Sequence, residues 1–240
     1  MVGINTGTNL AYGMGLIRDL KDTDEVGRGP LSGPVVVGAV RLRVENAEAL
    51  RALLKFLRPK GIKDSKLLSE EERKKVLTKL GVEALPFRKK GGLLLKGISI
   101  HYVTWDMDHT VIDEENILSA SLRGMKEASQ FLSDPENLPT HVFIDGHLKL
   151  RWGSDASPWD EIPLIKGDSR SLLIGLASII AKEKRDEYMR EMHELWPQYG
   201  FNSHFGYPTP AHRKAIALHG PSPIHRKSFK GVREFVGAPA

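Results

Sequence analysis

The sequence predicts an α/β fold in which a mixed sheet is covered by helices. Two observations predict it: strand-type runs alternate with helix-type patterns along the chain, and the longest helix pattern begins apolar nearly all round, so it must lie inside the protein. Pro34 to Val44 starts as a continuous apolar run and ends in alternation, as a strand leaving a sheet centre does. Ala47 to Leu57 follows as a helix, with Leu50, Leu53, Leu54 and Leu57 on one face and Pro59 as its stop. Ser69 with Glu72 three residues on is a capping box opening a helix to about Leu80, closed by Gly81. Ile98 to Thr104 alternates as a strand, and Asn116 to Leu132 carries Leu118, Leu122, Met125 and Ala128 at helical spacing. His141 to Asp145 is a short apolar strand ending on a carboxylate before Gly146, and Ile162 to Lys166 is a further strand. The long helix runs from Ser169 or Arg170 to about Trp196, where Pro197 ends it.

Composition narrows the class of function. The 240 residues contain no cysteine, which excludes disulfides, thiolate metal sites and a cysteine nucleophile, and fits a reducing cytoplasm. No apolar run approaches the ~20 residues of a bilayer span, so no membrane partner is expected. Residues 1–14, rich in Gly, Asn and Thr, read as a flexible leader without the basic and apolar regions of a secretory signal. The net charge is +5, and from Phe201 to Ala240 six Lys/Arg face one acid, so this stretch alone matches the excess. Interleaved with His204, Phe205, Tyr207, His212 and His225, it reads as a phosphate-tracking surface or as a solvated basic helix.

Chemistry gathers at element ends. Asp24 and Glu25 precede Gly27-Arg28-Gly29-Pro30; two adjacent carboxylates on a strand point to opposite faces and can share a site only where the chain turns. Asp145 repeats the pattern of a carboxylate at a strand end, where α/β sheets place their sites. Asp168 stands where the buried helix starts, as an N-cap or as an ionised cation ligand. Oxygen-only ligands suit Mg²⁺ or Mn²⁺, and two such ions clamp the attacking and leaving oxygens of a phosphodiester displacement. A basic protein with an acidic metal pocket points to phosphoryl-transfer chemistry, and no further on these grounds alone.

The strings Asp24-Glu-Val-Gly-Arg-Gly-Pro-Leu-Ser-Gly-Pro-Val, Ile62-Lys-Asp-Ser-Lys66, Ile112-Asp-Glu-Glu-Asn-Ile117, Ile144-Asp-Gly146, Lys166-Gly-Asp-Ser-Arg170, Ala177-Ser-Ile-Ile-Ala-Lys182, Tyr199-Gly-Phe201, His204-Phe-Gly-Tyr207 and Gly220-Pro-Ser-Pro-Ile-His-Arg226 resemble bacterial ribonuclease HII, the type 2 ribonucleases H, in the family's order. The resemblance spans about Asp24 to Phe229. It implies a ribonuclease-H-like mixed five-stranded sheet flanked by helices, with a catalytic core over residues 15–196 and a small basic helical appendage over 197–240. It implies that Asp24, Glu25, Asp145 and Asp168 are catalytic and bind the metals, Mg²⁺ or Mn²⁺. The backbone of Gly27, Arg28 and Gly29 would read the ribonucleotide 2′-hydroxyl, the group that separates RNA from DNA. Tyr207 would stack on the neighbouring deoxyribose, and Ser65 and Lys66 would contact phosphates. The implied activity is endonucleolytic cleavage of RNA–DNA hybrids, or at single ribonucleotides in duplex DNA, by a monomer that leaves 5′-phosphate and 3′-hydroxyl ends. A sliding-clamp-type partner is left unassigned.

Three departures from the family pattern stand out. Arg18 to Thr23 is charged where the family has an apolar strand, and charges are hard to bury at a sheet centre. The expectation is a shorter, shifted strand or a wetter edge, with Asp22 as a potential fifth carboxylate near the site. Pro208 stands where the family has glycine, and it fixes φ and removes an amide donor. Lys66 is followed by Leu67 rather than a second lysine, and Phe205 replaces a common basic residue, which predicts fewer phosphate contacts. A hybrid-binding protein that has lost catalysis through the altered first strand is the alternative function.

Overall fold

The computed structural model of the chain describes residues 19–62, 65–133, 140–150 and 157–237; the leader expected over residues 1–14 lies outside them. Six strands form one mixed sheet: β1 (Asp19–Val26), β2 (Val35–Val44), β3 (Gly91–Leu95), β4 (Ile98–Met107), β5 (Thr140–Asp145) and β6 (Asp160–Leu164), in the spatial order β3-β4-β2-β1-β5-β6. β1 to β4 pair antiparallel, whereas β1, β5 and β6 are parallel. The mixed α/β sheet is as expected, with one strand more than the five implied. The addition is β3, whose Gly-Gly-Leu-Leu-Leu has no alternation to reveal it; it is an edge strand paired only to β4 among the described residues.

Eight α-helices lie among the described residues: α1 (Ala47–Leu57), α2 (Glu70–Leu80), α3 (His109–Glu115), α4 (Ile117–Phe131), α5 (Gly167–Arg170), α6 (Leu172–Leu195), α7 (Phe201–His204) and α8 (Pro210–His219). The predicted capping box is present, with the Glu72 amide donating to Ser69 Oγ and the Ser69 amide to Glu72, and Gly81 closes α2 in the left-handed conformation. α1 buries Ala49, Leu50, Leu53 and Leu57. These leucines join Val76 and Leu80 of α2 and the first half of α6 in the cluster on one sheet face. On the other face α4 supplies Leu122, Met125 and Ala128 against Val37, Ala39, Val103, Val142 and Ile144.

β1 overturns the expectation of a shortened or wet first strand. It is eight residues long, sits between β2 and β5, and buries every residue from Asp19 to Asp24. Each charge has a partner. Asp19 takes a two-pronged ion pair from Arg41 at 2.7 and 3.1 Å and a hydrogen bond from Thr140 at 2.8 Å. Lys21 donates to Ser133 Oγ at 2.6 Å and lies over the Trp159 ring. On the opposite face Asp22 accepts from Ser171 Oγ at 2.9 Å, and burial lifts its carboxyl to about 7. Buried charge is tolerated here because paired and hydrogen-bonded groups escape most of the desolvation penalty.

The position of α6 decides where β1's carboxylates meet their neighbours. Gly38 of β2 pairs with Asp24 in register, and a β-carbon on it would stand 2.1 Å from the Ala177 carbonyl oxygen. Only a glycine lets the helix backbone lie directly on the sheet at this point. This close approach of helix and strand puts the Ser178 side chain in hydrogen-bonding reach of Asp24.

Candidate active site

In the parallel pairing of β1 and β5 the last matched residues are Thr23 and Ile144. One step further along both strands stand Asp24 and Asp145, side by side at the sheet edge. Strand alternation puts Leu20, Asp22 and Asp24 on the α6 face, so Asp24 reaches the site while Thr23 turns to the opposite face. Glu25 follows as β1 ends, and its amide donates to Asp24 Oδ1 at 2.7 Å. Asp145 Oδ1 accepts from the Gly167 amide at 2.6 Å, which ties the end of β5 to α5 and to Asp168.

Asp168 is not the cap of the long helix, contrary to one of its two readings. It sits inside the separate short turn α5, and Ser171 caps α6, its side chain accepting from the Ile174 amide. Freed from capping, Asp168 lies within electrostatic range of Asp24. The Asp24 carboxyl is held well above the usual carboxylate range, first by burial, then by repulsion from Glu25, Asp145 and Asp168; a hydrogen bond from Ser178 opposes the rise. Glu25 is raised by burial as well, with Arg28 working against it through an ion pair of 3.1 Å. The four predicted carboxylates are thus one electrostatic group. Asp22, by contrast, lies deeper on the same face and is occupied by Ser171, not a fifth member.

The donor chemistry fits a hard divalent cation: all ligating atoms are oxygens, and the repulsion on Asp24 is what a cation would cancel. Among the described residues no three His, Asp or Glu side chains stand in metal-holding geometry as they are. Asp145 Oδ1 accepts from the Gly167 amide and Glu25 Oε1 from Arg28, which leaves the second oxygen of each carboxylate for a cation.

The Gly-Arg-Gly turn follows β1 directly. Gly27 has φ +100° and a β-carbon there would stand 2.2 Å from Arg185 Nε, so this position tolerates only glycine. Arg28 is exposed, and a β-carbon on Gly29 would meet the Tyr207 ring at 3.7 Å. Tyr207, 40% exposed, therefore stands across the turn from Gly29. Pro208 follows it in the chain, and Thr209 caps α8, its side chain accepting from the His212 amide, with Pro210 at the helix start. Lys66 is exposed on a short 3₁₀ turn, Ser65–Leu67. Ser65 is fully buried, with its hydroxyl 2.8 Å from Ser178 Oγ, and so props the residue that bonds Asp24.

The basic stretch is partly interior. His204, His212 and His225 are buried rather than facing solvent, and so is Arg226. Burial is the main cause that lowers the pKa of His212 to about 4 and of His225 to about 3, which keeps both rings neutral. What remains at the surface is Arg213, Lys214, Lys227, Lys230 and Arg233.

Two functional supports escaped the sequence reading. Arg185 is fully buried and donates to the carbonyls of Pro34, Phe205 and Ser32. Arg226 donates to those of Gly27, Arg28, Pro30 and Gly33. A signal for the first existed: Ala177, Ala181, Arg185 and Met189 recur every four residues on the buried stripe of α6, an improbable place for a charge without a task.

The fold is shared with solved ribonucleases H. A ribonuclease H2 from Pyrococcus horikoshii OT3 superposes with a TM-score of 0.63 at 22% identity, covering 90% of this chain and 96% of that one. Bst-RNase HIII, solved with Mn²⁺, gives 0.59 at 18% identity over 95% of this chain and 72% of that one. The fold is thus that of the ribonuclease-H-like α/β proteins. A ribonuclease HII family model matches residues 22–232, and the chain belongs to that family. The ribonuclease HII of Desulfotalea psychrophila is 38% identical over 230 residues, 95% of this chain and 85% of the relative. That of Geobacter sulfurreducens is 39% identical over 220 residues, 92% and 86% respectively.

Proposed function

We propose that the chain is an endoribonuclease that cuts the RNA strand of RNA–DNA hybrids, and single ribonucleotides embedded in duplex DNA, using Asp24, Glu25, Asp145 and Asp168. Ribonuclease H activity on hybrids goes with the family; the residue roles, single-ribonucleotide cleavage and the two-metal route are our reading. The observation that carries it is the juxtaposition of Asp24 and Asp145 at adjacent strand ends, directly before a turn whose glycine faces an exposed tyrosine.

The chain's own groups divide the work. Asp24, Asp145, Glu25 and Asp168 concentrate negative charge at one sheet edge and would hold Mg²⁺ or Mn²⁺. Bound there, two such ions would supply Lewis-acid stabilisation of the attacking and leaving oxygens. The exposed backbone at Gly29 would meet a ribose without a β-carbon in the way, and with the Gly27 and Arg28 backbone would read a 2′-hydroxyl. Tyr207 faces the same space and would stack on the next sugar, favouring deoxyribose there. Lys66, exposed on its 3₁₀ turn, would contact a phosphate. Hydrolysis would leave a 5′-phosphate and a 3′-hydroxyl. The partner is the nucleic-acid duplex, met by a monomer in the cytoplasm. Among the described residues no helix is long and apolar enough to cross a membrane.

The alternative of a hybrid-binding protein without catalysis rested on a disrupted first strand. With β1 full-length and Asp24 beside Asp145, that motive is gone. The test is cleavage of a duplex containing one ribonucleotide, and of a long hybrid, in Mg²⁺ and in Mn²⁺. Specific cuts are expected; binding without cutting in either metal would overturn the enzymatic reading.

A further inference from the structure

One dipeptide, His225-Arg226, is linked to both walls of the space between the Gly-Arg-Gly turn and Tyr207, directly to the turn and through His212 to the tyrosine. Arg226 is 0% exposed and has no carboxylate within ion-pairing distance among the described residues. Its guanidinium is spent on main-chain oxygens of the turn: Nη2 donates to Gly27 at 2.6 Å, Nη1 to Arg28 at 3.1 Å and Pro30 at 2.8 Å, and Nε to Gly33 at 2.9 Å. Four carbonyls held by one planar fork fix the outline of a turn whose glycines would otherwise leave it loose.

His225 works on the other wall. The Ser222 amide donates to its Nδ1 at 2.8 Å, so that nitrogen carries no proton and Nε2 does. Nε2 then donates to His212 Nε2 at 3.0 Å, which leaves the His212 proton on Nδ1, donating to the Tyr207 carbonyl at 2.9 Å. The tautomers follow from one amide, and the wire ends on the backbone of the exposed tyrosine. Main-chain bonds lock the two walls together: Leu31 amide to Gly206 carbonyl at 2.8 Å, Gly33 amide to Ile224 carbonyl at 2.9 Å, and Arg226 amide to Leu31 carbonyl at 2.8 Å.

From this geometry we propose that His225 and Arg226 are positioning residues that set the spacing between the Gly-Arg-Gly turn and Tyr207, and thereby the preference for a ribonucleotide-containing duplex over an all-DNA one. The inference rests on the reading of that space as the sugar-recognition site. Neither residue touches the nucleic acid. Both act through backbone, so their loss degrades discrimination before it degrades phosphate-driven binding, which is indifferent to the sugar.

The test compares binding of two duplexes, one with a single ribonucleotide and one all-DNA of the same sequence, by the full chain carrying Asp145→Asn to prevent cutting. Arg226→Lys keeps the charge but loses the fork, and is expected to lower the preference for the ribonucleotide duplex by roughly tenfold while leaving all-DNA affinity unchanged. His212→Asn retains a donor at the Nδ1 position and should keep the preference; His212→Gln retains only the distal one and should lose it. An unchanged preference in folded Arg226→Lys and His212→Gln would overturn the proposal. If circular dichroism shows either variant unfolded, amide hydrogen exchange of the intact chain decides. The ribonucleotide duplex should slow exchange at Leu31, Gly33 and Arg226 more than the all-DNA duplex does, and equal exchange would overturn it. A parent protein with no preference at all would instead sink the sugar-recognition reading itself.

Discussion

The carboxylate end of the site and the Gly-Arg-Gly end lie next to one another in the chain but are held by opposite physics. At the first, Asp24 is buried against three like charges, an arrangement that disfavours its ionised form. At the second, Arg185 and Arg226 are buried with seven carbonyl bonds between them, and every backbone oxygen they meet is satisfied. One end stores unfavourable charge until a cation or substrate relieves it; the other is already saturated and therefore rigid. Neutralising a residue should consequently have opposite signs on stability at the two ends.

The largest effect expected is on activity. Asp145→Asn should lower kcat by on the order of 10³-fold or more while duplex affinity holds. Substantial residual cleavage in a steady-state assay would remove Asp145 from the site. Next comes Arg185→Leu, which strands the carbonyls of Pro34, Ser32 and Phe205 in the interior. It should destabilise the fold by about 3–5 kcal/mol in urea titration; a loss under about 1 kcal/mol would contradict the saturated-end picture.

The histidine wire gives a pH signature of similar or smaller size. His212 and His225 titrate in the folded protein at about 4 and about 3, below the unfolded value near 6.5. Below 6.5 the unfolded state binds more protons, so their contribution is complete above that pH and is lost as pH falls from 6.5 toward 3. A tenfold change in proton affinity is worth about 1.4 kcal/mol, so the decline should amount to a few kcal/mol. His212→Asn should make it shallower, leaving the share of His225, and a profile unchanged by that substitution would refute the assignment. The smallest effect has the opposite sign: in chelator, Asp24→Asn should raise stability by about 1–2 kcal/mol by removing the buried repulsion. A drop in Tm there would mean that the carboxylate end is not strained.

What the sequence showed and what it hid differ for identifiable reasons. The helix over Ala47–Leu57 and the capping box at Ser69 were legible because their signals are local: an apolar stripe, a stop, a side chain three residues from its partner. Asp24 and Asp145 were legible as strand-end carboxylates before glycine. β3 was not, since an edge strand of two glycines and three leucines has no burial pattern to print on its sequence. β1 misled because its charges are satisfied by Arg41, Ser133, Thr140 and Ser171, residues up to 149 positions away.

By itself, then, the chain determined its four longest helices, its strand-end carboxylates and its family, all of which rest on short-range patterns or on ordered strings of residues. Only tertiary structure decided that the Ser65 hydroxyl supports Ser178, that the histidines of the basic stretch point inward, and that two buried arginines shape the turn. Each of those outcomes depends on which distant carbonyl or hydroxyl meets a polar group once water is excluded, and hydrogen-bond partners chosen across the sheet leave no period in the sequence.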